Sequence, residues 1–274
     1  LGFSVNQQGA IRFGMAAVKG VGESAAEELI ANRKEEGGFG SLFDLTKRVN
    51  LRTVNKKSLE SLALAGAFDS LSELNRSTYI EKPGVEAMSG LELAIKYGAN
   101  YQASKNAAQT SLFGSGSGVQ LEEPSYPKVE PWSLLERLNR EKQMIGMYVS
   151  GHPLDDFNFE MNAFCTHRLS QLEDLTQLNG NGEVCLGGIV SNKLDRVTKA
   201  GKPFGIFTLE DYSGSHEFAL FSDDYAKFRG YIELYSLIFV KGRVQGKFYD
   251  PNQLEFKITH VSYLSDVKDK MLKR

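Results

Sequence analysis

Lys19-Gly20-Val21-Gly22 sets a cation and two glycines immediately before Glu23-Ser24-Ala25-Ala26-Glu27-Glu28-Leu29-Ile30, a run of good helix formers. The first amides of such a helix have no partner within it and carry the positive end of its dipole, so they favour an anion. Glycine on either side of Val21 allows a tight turn and lets a foreign backbone come close. Lys19 adds a full positive charge at the same place, Val21 points inward to pin the turn, and Ala26 leaves room for a neighbouring helix. The chemistry these types and spacings offer is capture of a phosphate by backbone amides. Upstream, Ile11, Met15 and Val18 recur at helical spacing and predict a first helix ending near Val18.

Helix, Gly-x-Gly hairpin and helix together resemble the helix-hairpin-helix motif, which holds DNA backbones without reading sequence. The resemblance makes Lys19, Gly20, Val21 and Gly22 duplex-binding residues. Leu64-Ala65-Gly66-Ala67-Phe68-Asp69 resembles a second, degenerate hairpin that keeps one glycine, so Gly66 joins the set. A glycine turn that merely joins two packed helices is the competing reading. No Gly-x-x-x-x-Gly-Lys-Ser/Thr loop occurs, so the pattern is not a nucleotide-binding P-loop.

These residues must be carried by elements that the rest of the chain can build. At 274 residues, with 41% hydrophobic and 24% charged content, the chain has the makings of two or three folded domains. A net charge of -2 argues against a histone-like binder, so contact with nucleic acid must be local. Two cysteines, Cys165 and Cys185, supply no disulfide framework and fit a reducing cytoplasm. Cys165-Thr166-His167 is too few ligands for zinc. There is no apolar run of membrane-spanning length and no signal peptide, and Leu1 is not an initiator methionine, as in a piece of something longer.

A second helix is expected from Glu23 to Glu35, stopped by Gly37-Gly38. Ser41 or Asp44 caps a short helix through Arg48, and Asn55 caps Lys56–Ala65, which Gly66 ends. Another helix spans about 84–108. Gln109-Thr110-Ser111-Leu112-Phe113 then runs into Gly114-Ser115-Gly116-Ser117-Gly118, and a Leu-Phe pair beside flexible Gly/Ser chain has the character of a docking peptide. Pro131 opens an amphipathic helix to about Val149, and a short helical stretch follows over 156–164. From 183 to 264 the period changes to that of strands. Five or so strands, an early glycine bend at Gly187-Gly188 and one helix at Ser222–Arg229 resemble an OB-fold barrel. Aromatics with cations hold single strands on such barrels. The candidates are Lys193, Arg196, Lys199 and Lys202, expected on one face, with Arg243 and Lys247. Phe207 is expected in the core.

In order along the chain, Ile11–Gly22, Leu62–Asp69, Glu141-Lys142-Gln143-Met144-Ile145-Gly146-Met147-Tyr148-Val149-Ser150-Gly151-His152-Pro153-Leu154 and the barrel with Phe207–Asp211 look like the C-terminal part of bacterial DNA polymerase III alpha subunits. The resemblance covers essentially the whole chain and implies an α-then-β multidomain architecture. Its parts are a tandem hairpin unit over 1–80, a helix over 81–108, a clamp-binding peptide and linker over 109–129, a helical connector over 130–180, an OB-fold over 181–266 and a basic tail over 267–274. It further implies that Gln109, Leu112 and Phe113 match the family's sliding-clamp peptide of Gln, two free positions, Leu and Phe. The partners implied are duplex DNA, single-stranded DNA, the bacterial sliding clamp and other replisome subunits, in the cytoplasm and not at a membrane. The family's polymerase carboxylates and their Mg2+ belong to an upstream palm domain that nothing here resembles. This chain is therefore expected to bind DNA and clamp without a cofactor and without polymerising, the parent being the DNA-directed DNA polymerase. A stand-alone DNA-binding adaptor is the alternative. A glycosylase built on Asp44 is a weaker one, and a ligase lacks its nucleotidyl lysine motif.

Overall fold

The computed structural model describes residues 1–110, 122–180, 182–247 and 249–271. It divides into two units, Leu1–Gly151 and His152–Arg274, so the segment 130–180 is shared between them.

The first unit begins with a hairpin of β1 (Ser4–Val5) and β2 (Ile11–Arg12), in which Val5 pairs with Ile11. The Asn6 side chain accepts from the amides of Gln8 and Ala10 and closes the turn. This corrects the helix expected before Val18. The amides of Ile11 and Arg12 belong to a strand pair, Ile11 is 73% exposed rather than on a core face, and only Met15–Ala17 coil into a single 3-10 turn. The apolar spacing of Ile11, Met15 and Val18 is therefore not a helical stripe.

Downstream helices follow the capping signals. They are α1 (Glu23–Glu36), α2 (Leu42–Arg48) and α3 (Lys56–Leu64), followed by α4 (Arg76–Ile80), α5 (Gly90–Thr110) and α6 (Leu134–Ile145). Ser41 Oγ accepts from the Asp44 amide and Asn55 Oδ1 from the Ser58 amide, as N-caps do. Val21, Ala26, Leu29, Leu42, Leu62 and Leu91 share one core, against which Tyr126 and Met144 also pack. Helix α5 ties down α2: Thr46 Oγ1 donates to the Ala94 carbonyl at 2.8 Å, and the Gln102 amide caps the end of α2 at Thr46 and Val49, both 2.9 Å.

The second unit opens with α7 (Asn158–Ala163). Its strands are β3 (Val184–Val197), β4 (Pro203–Asp211), β5 (Gly214–Phe221), then after α8 (Ser222–Phe228), β6 (Leu237–Lys247) and β7 (Asp250–Tyr263). All neighbours are antiparallel, in the order β5-β4-β3-β6-β7. Among the described residues no hydrogen bonds close β5 onto β7, so by its ladders the OB-fold is a five-stranded open sheet. Aromatic packing spans the two outer strands instead, with Phe218 of β5 5.8 Å from Phe256 of β7. Phe207 is 1% exposed in the core, as alternation required. The segment expected as a basic tail begins inside a helix, α9 (Leu264–Met271), whose Leu264 and Val267 are buried.

Candidate nucleic-acid interface

The first glycine hairpin is anchored from below. The Lys19 amide donates to the Met144 carbonyl at 2.8 Å, and the Val21 amide to that of Val18 at 3.0 Å, while the Val21 side chain sits in the core. Gly20 has φ +89°, and a Cβ there would lie 2.6 Å from Ser61 Oγ of α3, so its glycine serves the fold. Gly22 is different. It is the N-cap of α1 with φ -73° and ψ 155°, a conformation open to any residue, and a Cβ there would meet nothing within 4 Å. No side chain caps α1. The Lys19 side chain is exposed and has no ion-pair partner among the described residues. The result is a helix N-terminus with bare amides, an open approach and a cation beside it.

The second hairpin is organised inward. Gly66 has φ +83° and ends α3, its neighbour Ala67 donating to the Leu62 carbonyl at 2.9 Å. A Cβ on Gly66 would overlap the Arg76 guanidinium. That guanidinium bonds the Leu64 carbonyl at 3.2 Å, Asp69 at 2.6 Å and Glu141 of α6 at 2.8 Å. The other Glu141 oxygen accepts from the amides of Val149 and Ser150, both 2.8 Å. Burial alone would push the Glu141 carboxyl up, but these amides and Arg76 outweigh it and hold the group below the usual carboxylate range. The Gly66 turn is thus clamped by its own chain. This network was not anticipated from the sequence. The available signal was an acid, Glu141, placed three residues after Leu138 and four before Ile145 on the apolar stripe of α6.

In the second unit, directly opposed residues of antiparallel strands share a face. One row is Arg196, Phe204 and Phe221, and the next is Leu194, Ile206 and Ala219. The Phe204 and Phe221 rings stack at 5.4 Å and 16°, and Phe221 is 55% exposed. The turn between β3 and β4 carries exposed Lys199 and Lys202 at the end of these rows, closed by the Thr198 amide on the Lys202 carbonyl. Lys193 does not join them, which corrects the single face expected. It stands opposite Phe207, on the core side of the sheet, because residues three apart on a strand point opposite ways. Its Nζ is held by Glu233 at 2.9 Å and Asp195 at 3.4 Å. Arg243 and Lys247 are exposed on β6, and Lys247 bonds the Gln253 side chain.

Of the docking peptide, Gln109 falls in the last turn of α5, while its side chain, Leu112 and Phe113 lie outside the described residues. Asp44, the glycosylase candidate, and the acidic residues of the second unit have structural duties. Asp44 accepts from the Gly40 amide and pairs with Arg48, each at 3.0 Å. Asp155 accepts from the His152 amide and the Tyr212 hydroxyl, and Asp224 pairs with Lys257. Among the described residues, no three His, Cys, Asp or Glu side chains gather where they could hold a metal ion. Cys165 and Cys185 are free thiols, and burial pushes Cys165 up to about 12. No helix of the described residues is long and apolar enough to cross a membrane.

Comparison with known proteins matches both halves. Residues 1–79 match the helix-hairpin-helix motif family, and residues 184–264 match the OB-fold nucleic acid binding domain family. The chain is 36% identical over 246 residues to the DNA polymerase III subunit alpha of Pasteurella multocida. It is 33% identical over 245 residues to that of Haemophilus influenzae and 32% over 247 residues to that of Escherichia coli K12. Each match takes in 88% of this chain and 20% of the relative, so the chain spans about a fifth of the length of the curated relatives it matches. By sequence, the chain is a relative of the C-terminal region of DNA polymerase III subunit alpha, built from a helix-hairpin-helix motif and an OB-fold nucleic acid binding domain.

Proposed function

We propose that this chain is the DNA- and clamp-handling portion of a bacterial replicative polymerase, holding product duplex with the Gly20–Gly22 hairpin and single-stranded template on its OB-fold. The observation that carries the reading is the uncapped N-terminus of α1, open at Gly22 and flanked by an exposed Lys19. Amides aimed this way grip phosphate and are indifferent to base sequence. Polymerisation and its Mg2+ belong to residues of the parent enzyme outside this chain, working in the cytoplasm with the other replisome subunits.

The single-strand site of this reading is the outer row of Arg196, Phe204 and Phe221, fed by Lys199 and Lys202, rather than Lys193. A base stacked on an aromatic ring contributes ~1–3 kcal/mol. Phe221→Ala in the full chain is therefore expected to weaken oligothymidine binding at low salt by roughly tenfold or more, and Lys193→Ala to leave it near the wild type. A Lys193→Ala loss equal to that of Phe221→Ala would remove the outer row from the reading.

Clamp binding is assigned to Gln109, Leu112 and Phe113. Burying two such apolar side chains contributes roughly 1.5–3 kcal/mol each, part of which offsets the ordering of the segment. Surface-immobilised bacterial sliding clamp should capture the wild-type chain, and Leu112→Ala with Phe113→Ala should weaken capture by roughly a hundredfold while duplex affinity stays the same. Undiminished capture of the double variant would mean that the contact, if any, lies elsewhere.

A further inference from the structure

The two cysteines of the chain have no part in the DNA-binding reading, yet the second unit brings them together. The ladder from β3 to β4 begins at Ile189, so at Cys185 that edge of β3 is not covered by its neighbouring strand. The chain leaving α7 takes the place. The Thr166 and His167 amides donate to the Cys185 carbonyl at 2.9 and 3.2 Å, and the Cys185 amide donates to Thr166 Oγ1 at 2.9 Å. Residue 165 therefore runs beside residue 185. Neighbouring hydrogen-bonded chains lie about 4.7–4.9 Å apart, inside the Cα separation of about 4.4–6.8 Å that a disulfide bridges.

The side chains meet as the backbones do. Gly187 is two residues on from Cys185, so the two share a face of β3. A Cβ on Gly187 would lie 2.8 Å from Cys165 Sγ and 2.5 Å from Met161 Sδ. The Cys165 sulfur thus rests on the face of β3 that carries the Cys185 side chain, in space that a glycine leaves open. Both cysteines pack in one small core with Leu154, Met161, Phe239 and Leu264, and both are free thiols. Burial pushes both thiols up, so each is held protonated and attacks slowly. Cys165 is the less buried of the two, so reaction with a reagent from solvent begins there.

We propose that Cys165 and Cys185 form a thiol–disulfide exchange site, which a low-molecular-weight disulfide oxidises to an internal bond stapling the end of α7 to β3. The Cys165 thiolate attacks one sulfur of the small disulfide, whose S–S bond breaks and releases one thiol. The Cys185 thiolate then attacks Cys165 Sγ in the mixed disulfide and expels the second thiol. The protein pair gives up two electrons to the small disulfide, and the two protons lost by the cysteines end on the two released thiols. The new bond closes the loop of residues 166–184 and so restricts the unfolded chain.

The test incubates the reduced full chain with bis(2-hydroxyethyl) disulfide to equilibrium, folded and in concentrated urea. Remaining thiols are then alkylated and the intact mass is read. The folded chain should yield a monomer lighter by two hydrogens that takes up no alkyl group, and peptide mapping should join residue 165 to residue 185. The ratio of bridged to mixed-disulfide chain should be at least about tenfold higher folded than in urea, because the fold holds the second thiol beside the first. Cys185→Ser should stop at the mixed disulfide on Cys165. The oxidised wild type should unfold at a higher urea concentration than the reduced form, a shift that Cys185→Ser lacks. A folded chain that stops at mixed disulfides, or keeps both thiols, overturns the proposal. So does a bridged-to-mixed ratio equal to that in urea, because the fold would then play no part in the pairing.

Discussion

Glu141→Ala is expected to destabilise the first unit by about 3–5 kcal/mol, measured as a fall in the urea midpoint. That is the range for breaking a buried ion pair from one side. The Glu141 side chain is 1% exposed and its partner Arg76 6%, so the guanidinium would be left in place with only the half-exposed Asp69 as counterion. Two amides, those of Val149 and Ser150, would also lose their acceptor. Glu141→Gln keeps an acceptor for those amides and should cost less. The pH dependence has a definite sign. The folded-state pKa of Glu141 lies below its unfolded value, despite burial, because the Ser150 and Val149 amides and Arg76 favour the ionised form. Its contribution is therefore fully present above the ordinary glutamate range near about 4.3, and is lost as pH falls through the lower folded value. The stability gap between wild type and Glu141→Gln should be largest near neutrality and narrow in acid. A gap that stays constant down to pH about 3 would mean that the carboxylate is not held in the charged form.

Gly22→Val should weaken duplex binding by roughly tenfold to a hundredfold while leaving the unfolding free energy measured in urea within about 0.5 kcal/mol of the wild type. The separation of the two effects comes from the backbone. At φ -73° and ψ 155°, with no atom within 4 Å of a prospective Cβ, residue 22 has no internal reason to be glycine. A side chain there intrudes only on what approaches from outside. Gly20 makes the contrast: at φ +89° against Ser61, Gly20→Val should lose stability as well as binding. Lys19→Glu should weaken binding too, and by removing a phosphate contact it should lower the slope of log affinity against log salt by about one. Anisotropy titrations with two unrelated duplexes at several salt concentrations measure all of this. A strong preference for one duplex, or full binding by Gly22→Val, would leave the hairpin as a simple joint between packed elements.

Much of this architecture was legible from local chemistry. The N-caps Ser41 and Asn55 and the stop at Gly37 are short-range signals that tertiary packing had no cause to override. The strands of the second unit follow from turn residues and period, and the burial of Phe207 from alternation. What was not legible depended on partners distant in sequence. Ile11 reads as the start of a helical stripe until its pairing with Val5 is known, and Glu141 reads as an ordinary charged residue until Arg76 stands opposite. Lys193 is another kind of error: the period of two already sets it against Arg196, but grouping by charge along the chain ignored which way each side chain points. Ser77 Oγ and Arg137 Nε, buried with no hydrogen-bond partner among the described residues, had no signature in sequence, because being unmatched is a property of the finished packing.

The Arg76–Glu141 bond joins residues 65 positions apart, and it bears on how the unit comes into being on the ribosome. At about 5–20 residues per second, the emerging chain carries Arg76 for roughly 3–13 s before Glu141 is even synthesised. Through that interval the Gly66 turn lacks the acid that completes its clamp, and the cation stays in water. Helices α1 to α3 can form early, yet the unit locks only when α6 arrives. The nascent chain thus passes through a stage in which the hairpin half is assembled but still loose, and a pause or truncation before residue 141 would hold it there, open to proteases and chaperones.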